Sequence, residues 1–495
     1  MKGFNLKLIV HILGLLLLFN SLFMGITTLS SYLMDDGATN GMLTAFLINL
    51  SVGGLAMGST LNHRKEIKKR EGYLIVVFGW LAMVIFGMLP FVFTNTVSSV
   101  SDAFFETMSG YTATGATIMD DIESLPKSIV LWRSLTHWMG GMGIIVLAIA
   151  ILPLLGIGGM QLFSAEAPVL GGDKLHPRIS DTAKRLWLIY VGLTAVNALL
   201  LSLSGMSVFD AINLAMSTMA SGGFSTKDTS LGYWNDIPHI QYITVLFMFL
   251  AGSNFVLLYF ALKGKFNRVF SDTEFRWYAG FIAVFVLIVM ASILRQEVFV
   301  SPQASAWSVW EQSFRHALFQ VVAVISTTGL VTADFTSWSP FVTMLFFGLM
   351  FLGGSTGSTS GGVKVMRHLI LIKNGFLEFK RALHPNAILM VRLNKVTIEQ
   401  SIVYHVLAFF ILYMILFIIG AGVFSVLGLD FTTSIGVSAT SLGNIGPGLG
   451  ALDPTNTFAA LPILGKWWSA LLMLLGRLEL FTVLILLTPY YWRKH

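Results

Sequence analysis

The chain has 495 residues, of which 55% are hydrophobic and only 11% charged, against about 25% charged in an ordinary soluble domain. That balance, with a mean hydropathy of +0.76, excludes a soluble enzyme, a disordered hub and a collagen-like rod. The absence of cysteine excludes disulfide frameworks, thiolate metal sites and cysteine nucleophiles.

Apolar runs long enough to cross a bilayer, about 20 residues each, recur from end to end. They fall near 6–30, 41–61, 73–94, 128–155, 185–205, 238–262, 277–294, 338–352 continuing into 363–373, 400–427 and 462–489. The expected fold is an all-α polytopic membrane protein. Lys2 and Lys7 precede the first run; without a convincing small-residue cleavage pattern, it reads as an uncleaved first helix.

The cations fix the sides. With the N-terminus inside, 24 of the 31 Lys+Arg fall in inner segments. These include the run His63-Arg64-Lys65-Glu66-Ile67-Lys68-Lys69-Arg70, then Lys174, Arg178, Lys184, Arg185, Lys263, Lys265, Arg268 and Arg276. The stretch Lys364 to Lys395 and Arg493-Lys494 complete the set. This bias places both termini in the cytoplasm. The net charge of +6 is therefore a topology signal and not a sign of nucleic-acid binding.

The outer segments repeat. SDAFFETMSGYTATG, FDAINLAMSTMASG, RHALFQVVAVISTTG and DFTTSIGVSATSLG end at Gly115, Gly222, Gly329 and Gly443, spaced 107, 107 and 114 residues apart. Each pairs a short apolar run with a Ser/Thr-rich stretch closed by glycine. Such spacing means a helix–short helix–helix unit used four times. A run of 10–14 residues cannot span a bilayer but suits a re-entrant half-helix. Amphipathic loops lying on the surface are the alternative, and they have no reason to agree in four copies. The expected boundaries are two N-terminal helices in 1–71 and repeats in 72–160, 161–265, 266–385 and 386–495.

Half-helices that enter from one side point their negative carbonyl ends at a common axis. Asp102, Asp210 and Asp430 sit near the opposite ends; the third repeat has Arg315-His316 there, with Glu311 as a possible substitute. Non-helical backbone at membrane depth must line a cavity, and glycine permits the dihedrals involved. The expected filter positions are Ala113-Thr114-Gly115, Ala220-Ser221-Gly222, Thr327-Thr328-Gly329 and Ser441-Leu442-Gly443. None is charged, which disfavours a carboxylate-ring filter and suits a large, weakly hydrated monovalent cation, potassium best of all. Asp120, Asp121, Glu123, Asp228, Asp236, Asp334 and Asp453 follow the filters. An acidic mouth that concentrates cations and an ordinarily solvated loop both account for them.

These four half-pore signatures resemble the superfamily of Trk, Ktr and HKT potassium transporters. The stretch Trp132-Arg133-Ser134-Leu135-Thr136-His137-Trp138-Met139-Gly140-Gly141-Met142-Gly143 and the two extra N-terminal spans resemble its bacterial TrkH branch. The resemblance covers essentially the whole chain. It implies four repeats, each like a potassium-channel subunit, around one pseudo-four-fold pore in the bacterial inner membrane. In some plant relatives a serine at the first filter glycine goes with sodium transport, so Gly115 argues for potassium.

Two features lie after the third filter. The segment Gly353-Gly354-Ser355-Thr356-Gly357-Ser358-Thr359-Ser360-Gly361-Gly362 is entirely Gly, Ser or Thr, and no helix persists through it at about 1 kcal/mol per glycine. A phosphate-binding loop fails on spacing, because Lys364 stands two residues beyond Gly362 and no Ser/Thr follows it. The resemblance implies an intramembrane gate here; a passive kink is the alternative. Arg477 lies in an apolar run from Ile463 to Leu487, where insertion costs about 2.5–3.5 kcal/mol. It is expected to project into the pore beside the 353–362 loop as a barrier to cations, to hold loop carbonyls, or both. The resemblance supplies a matching arginine.

His137 reads as a packing residue, and Trp467-Trp468 and Tyr490-Tyr491-Trp492 as interfacial anchors. No constellation suggests catalysis, and no cofactor is expected beyond the transported potassium. The resemblance implies a homodimer and a cytosolic ring of nucleotide-binding subunits of the TrkA type. The basic segments 62–71 and 364–395 could receive that ring, or equally anionic lipid headgroups. A secondary transporter of an organic solute, typically built on inverted two-fold repeats, is the main rival. A sodium-permeable or potassium–sodium symporting member of the same superfamily is another, and channel-like or coupled flux stays open.

Overall fold

The computed structural model describes residues 4–61, 68–146, 179–299, 305–387, 389–394 and 396–493, without the side chains of 144–146 and 179–182. Lys2, His63 to Ile67, Lys174, Arg178, Lys395, Lys494 and the end of the 128–155 run lie outside these residues.

Two helices, α1 (Leu6–Met34) and α2 (Thr39–Gly58), pack on each other as a hairpin. The turn between them is held by Asp36, which accepts the Ser128 backbone N–H at 2.8 Å. The hairpin also reaches the first repeat inside the protein: Asn20 Nδ2 donates to Asn49 Oδ1 at 3.2 Å, and Tyr111 Oη donates to Asn20 Oδ1 at 2.6 Å. Buried polar groups in an apolar setting need such partners.

The first repeat comprises α3 (Lys69–Gly87), the short α4 (Leu89–Phe93), the half-helix α5 (Val100–Tyr111) and α6 (Lys127–Val146). The second has α7 (Ile179–Leu203), the half-helix α8 (Val208–Ala220), and α9 (Pro238–Ala251) with α10 (Phe255–Leu262). After α11 (Phe266–Ser271) the third runs through α12 (Thr273–Arg295), α13 (Ala306–Ile325), α14 (Pro340–Leu349) and α15 (Val365–Leu383). A two-stranded antiparallel hairpin, β1 (Arg392–Leu393) and β2 (Val396–Thr397), precedes the fourth. That repeat holds α16 (Gln400–Val426), the half-helix α17 (Phe431–Gly443), α18 (Ile463–Arg477) and α19 (Phe481–Leu484), followed by α20 (Pro489–Trp492).

Among the described residues six helices are long and apolar enough to cross a membrane. Two expected spans are not straight. The 238–262 run bends by 110° between α9 and α10, and the 462–489 run bends by 109° between α18 and α19. The first break carries Gly252-Ser253-Asn254, where Asn254 caps α10 by accepting the Val256 N–H. The second carries Glu479, whose positive φ of 59° ends the helix, followed by Leu480, where Phe481 N–H turns back to the Glu479 carbonyl.

The half-helices start on polar caps, as serine and aspartate favour. Ser99, Ser207 and Ser305 accept from the backbones of Asp102, Asp210 and Ser308, and Asp430 from that of Thr433. The third half-helix departs from the expectation. It has 20 residues, begins at Ala306, and carries Arg315 and His316 in its interior. Glu311 is there as the i,i+4 partner of Arg315 at 2.9 Å.

Successive repeats interlock. Half-helix α8 packs on α6 of the repeat before it, α13 on α9, and α5 on α18 of the last repeat, while α16 packs on α15 between repeats three and four, so the four units close a ring.

Candidate ion-binding site

The four half-helices end alike. Ala113, Ser221, Thr327 and Asn444 all have left-handed backbones, with φ 50°, 56°, 53° and 52°. The residue after each donates its N–H five positions back: Thr114 to Ser109, Gly222 to Ser217, Thr328 to Ala323 and Ile445 to Thr440, at 2.8–3.1 Å. This is the Schellman way of closing a helix, which turns the chain away from the axis of the helix just ended. One residue further, Gly115, Gly223, Gly329 and Gly446 have φ of 86°, 88°, 68° and 108°.

These four glycines form a closed cycle. A Cβ on Gly115 would strike the carbonyl oxygen of Gly222, one on Gly223 that of Thr328, one on Gly329 that of Ile445, and one on Gly446 that of Thr114, all at 2.8 Å or less. Each glycine thus faces the carbonyl just before the glycine of the next repeat, and the fourth returns to the first. No side chain fits at any of the four. A recess of about 130 Å³ is lined by all four glycines together with Asp120, Asp228 and Asp453.

The repeat geometry shifts two of the sequence-derived triplets. In repeats one and three it falls on Ala113-Thr114-Gly115 and Thr327-Thr328-Gly329. In the second, Ala220 is the last helical residue, and the turn and positive-φ glycine are Ser221 and Gly223. In the fourth, Ser441, Leu442 and Gly443 are the last turn of α17, and the equivalent residues are Asn444, Ile445 and Gly446. A Gly-Gly pair and a second glycine three residues on make the register ambiguous from sequence.

Side chains brace the cycle from behind. Thr112 and Thr114 hydroxyls meet at 2.8 Å, as do those of Ser326 and Thr328. Asn444 Nδ2 donates to Thr114 Oγ1 at 3.0 Å and to the Met473 carbonyl at 2.9 Å, joining repeats four and one. His137 is buried, stacked on Phe224 at 3.9 Å, with Nδ1 3.2 Å from Ser217 Oγ.

The outer acids are largely engaged. Asp228 accepts the Ile122 N–H at 2.7 Å, Asp453 that of Thr455 and Asp334 that of Thr336, both at 2.8 Å, and Asp120 pairs with the Thr457 hydroxyl. Glu123 pairs with Lys227 at 2.7 Å, and that hydrogen bond holds the Lys227 ammonium above the usual lysine range.

The Gly353–Gly362 segment is non-helical and passes against three of the four helix ends. Its neck is closed by Gly353 N–H to the Val363 carbonyl at 2.8 Å and Val365 N–H to that of Gly354 at 3.1 Å. Thr359 Oγ1 lies 3.0 Å from Ser221 Oγ and donates to the Met219 carbonyl at 2.9 Å. Gly361 N–H donates to Thr327 Oγ1 at 2.6 Å, and a Cβ on Gly361 would stand 2.6 Å from the Gly443 carbonyl. Gly357 and Gly362 have φ of 74° and 64°. Arg477, buried at the end of α18, donates from Nη1 to the Thr359 carbonyl at 2.8 Å and from Nη2 to the Gly140 carbonyl at 3.3 Å. Glu479 does not face it; its partner is Arg367 at 2.6 Å, because the helix ends at Arg477 and the chain turns.

Glu274 and Asn254 carry no sequence signal toward this loop, and Lys364, conspicuous beside it in the sequence, makes contacts that spacing does not reveal. Glu274 Oε1 accepts from Thr356 N–H at 2.7 Å and Met366 N–H at 3.1 Å, spanning both flanks of the loop. Lys364 Nζ reaches the Ser360 carbonyl and Ser360 Oγ. Asn254, at the break in the second repeat, lies beside Gly357. Only a buried charge at the start of an apolar span could have signalled Glu274.

The sequence pattern of the family described as "TrkH: Cation transport protein" matches residues 39–494. The Trk system potassium uptake protein TrkH of Escherichia coli K12 is 40% identical over 493 residues, covering 99% of this chain and all of that one. The protein of the same name from Vibrio parahaemolyticus is 40% identical over 491 residues, covering 98% and 99%. The crystal structure of the potassium transporter TrkH from Vibrio parahaemolyticus superposes with a TM-score of 0.90 at 38% identity, covering 99% of this chain and 100% of that one.

Proposed function

Because the chain belongs to the TrkH family of cation transport proteins, we propose that it takes up potassium through the axis of its four repeats. The observation that carries this is the closed cycle of glycines and carbonyls. Four uncharged backbone segments meeting on one axis replace the water of a weakly hydrated cation without the divalent preference of a carboxylate ring. The carbonyl ends of four helices add negative potential there.

The filter is assigned to Ala113-Thr114-Gly115, Ser221-Gly222-Gly223, Thr327-Thr328-Gly329 and Asn444-Ile445-Gly446, the register that the common helix ends support. The gate is assigned to Gly353, Gly354, Gly357, Gly361, Gly362 and Arg477. Its support is the set of bonds from the loop to Met219, Ser221 and Thr327 and from Arg477 to Thr359. A loop of small residues closes the path, and a buried guanidinium opposes any cation passing it. Both termini are assigned to the cytoplasm by the positive-inside bias. A homodimer and a cytosolic nucleotide-binding ring of the TrkA type complete the proposal by family likeness.

Purified protein in potassium-loaded liposomes, assayed for radioactive rubidium uptake, tests it. Uptake that potassium competes strongly and sodium and lithium weakly is expected. Liposomes that take up no alkali cation would overturn the proposal, and equal competition by sodium would overturn the potassium assignment.

A further inference from the structure

The cycle of glycines is regular, but its chemical support is not. Behind the first segment lies an ion pair between Arg133 Nε and Glu106 Oε1 at 2.9 Å, with side chains 1% and 0% exposed. Glu106 also accepts the Ile118 backbone N–H at 2.9 Å and the Thr117 hydroxyl at 3.0 Å. Arg133 Nη2 donates to Thr117 Oγ1 at 3.1 Å and Nη1 to the Ser225 carbonyl at 3.3 Å. The guanidinium lies 4.2 Å from the centre of the Phe224 ring.

Thr117 and Ile118 follow Gly115, and Phe224 and Ser225 follow Gly223. The pair therefore joins the strands that leave two neighbouring glycines. Counted back from its glycine, the position of Glu106 is Leu214, Gln320 and Val437 in the other repeats. Gln320 Nε2 donates to the Ala333 carbonyl at 3.1 Å, so the third repeat braces the same strand without charge, while Leu214 and Val437 carry no polar group at that position. Burying two charges costs several kcal/mol per ion unless geometry and further hydrogen bonds offset it. Here every bond goes to a backbone or side chain beside a filter glycine.

We propose that Glu106 and Arg133 are positioning residues that set cation preference, by holding the exit strands of the first two filter segments at a fixed separation. The planar guanidinium fork supplies directions that an ammonium cannot. This rests on the reading of the glycine cycle as the filter.

Rubidium and sodium uptake into liposomes, each measured over a range of concentrations, tests the idea. Glu106→Gln is expected to lower the rubidium-over-sodium preference about tenfold, equivalent to about 1.4 kcal/mol, through a raised KM for rubidium. Arg133→Lys keeps the charge but not the fork and is expected to move the same way. Thr117→Val and Phe224→Leu, which leave both charges paired, are expected to lower the preference a few-fold, and they decide the matter if Glu106→Gln does not fold. A purely structural brace would reduce folded protein and maximal rate while leaving the preference intact. Lys466→Met, which breaks the Lys466–Asp102 pair away from the filter glycines, serves as the control and should keep it. Wild-type protein that passes no rubidium would sink the filter reading itself. A selective wild type beside folded Glu106→Gln, Thr117→Val and Phe224→Leu variants of unchanged preference would overturn this inference alone.

Discussion

Arg477 is held by two carbonyls, Thr359 in the loop and Gly140 in the first repeat. Its Nε has no hydrogen-bond partner among the described atoms, and the nearest acid in sequence, Glu479, is committed to Arg367. The guanidinium is thus a tie for the loop and, among the described residues, a positive charge paired with no carboxylate. Arg477→Ala is expected to raise rubidium flux in liposomes roughly tenfold, the equivalent of about 1.4 kcal/mol of barrier; unchanged or lower flux in a folded variant would reject the barrier role. Gly329 gives the opposite test. A methyl group there would collide with the Ile445 carbonyl, and φ of 68° is strained for any L side chain. Gly329→Ala is expected to abolish rubidium uptake while the protein still elutes as a folded particle, and residual wild-type uptake would contradict it. Arg477 stood out in the sequence, because a lone charge in an apolar run is conspicuous. Its two carbonyl partners were not, since they come from segments more than a hundred residues away.

At the scale of elements, the inner helices of three repeats are interrupted, and the interruptions touch. The break after Ala251 offers the Gly252 carbonyl to Ser355 N–H at 2.8 Å, and the break after Arg477 carries the last bond of α18 to the loop. Glu274 on α12 holds the loop at both flanks. Glu274→Gln is expected to loosen the loop and raise resting rubidium flux by a few-fold while preserving preference over sodium, because the glycine cycle is untouched; lost preference would show that the loop and the ring are not separable. Composition revealed the loop, since ten consecutive Gly, Ser and Thr residues cannot stay helical. The two sharp bends were hidden, because their flanks remain apolar and a hydropathy window averages across Gly252-Ser253-Asn254 and Glu479-Leu480. The half-helices of repeats one, two and four were legible from length. The third was not, because Ala306 to Phe314 extends its helical pattern beyond the expected start. In the second and fourth repeats the glycine register depended on the left-handed residue that ends each helix, and nothing in the local sequence distinguishes Ser221 from Ala220 or Asn444 from Ser441.

For the whole molecule, the decisive contact is the one that closes the ring. Lys466 on α18 pairs with Asp102 at the start of α5 at 2.6 Å, and Trp467 stacks on Phe104 at 4.4 Å between ring centres. Residues 364 positions apart are joined there, which no periodicity could reveal, whereas the number and spacing of repeats already implied that some closure must exist. Lys466→Met leaves a carboxylate without its partner and is expected to lower the unfolding temperature of the detergent-solubilised protein by several degrees, with cation preference unchanged; an unaltered unfolding temperature would show that closure rests on α5–α18 packing alone. Cation passage through this chain, as proposed, requires one axis shared by four backbone segments. Anomalous diffraction from crystals grown in thallium, a heavy substitute for potassium, examines that axis directly. A thallium peak encircled by Gly115, Gly223, Gly329 and Gly446 is the predicted result, and thallium bound only elsewhere, with that ring empty, would contradict it.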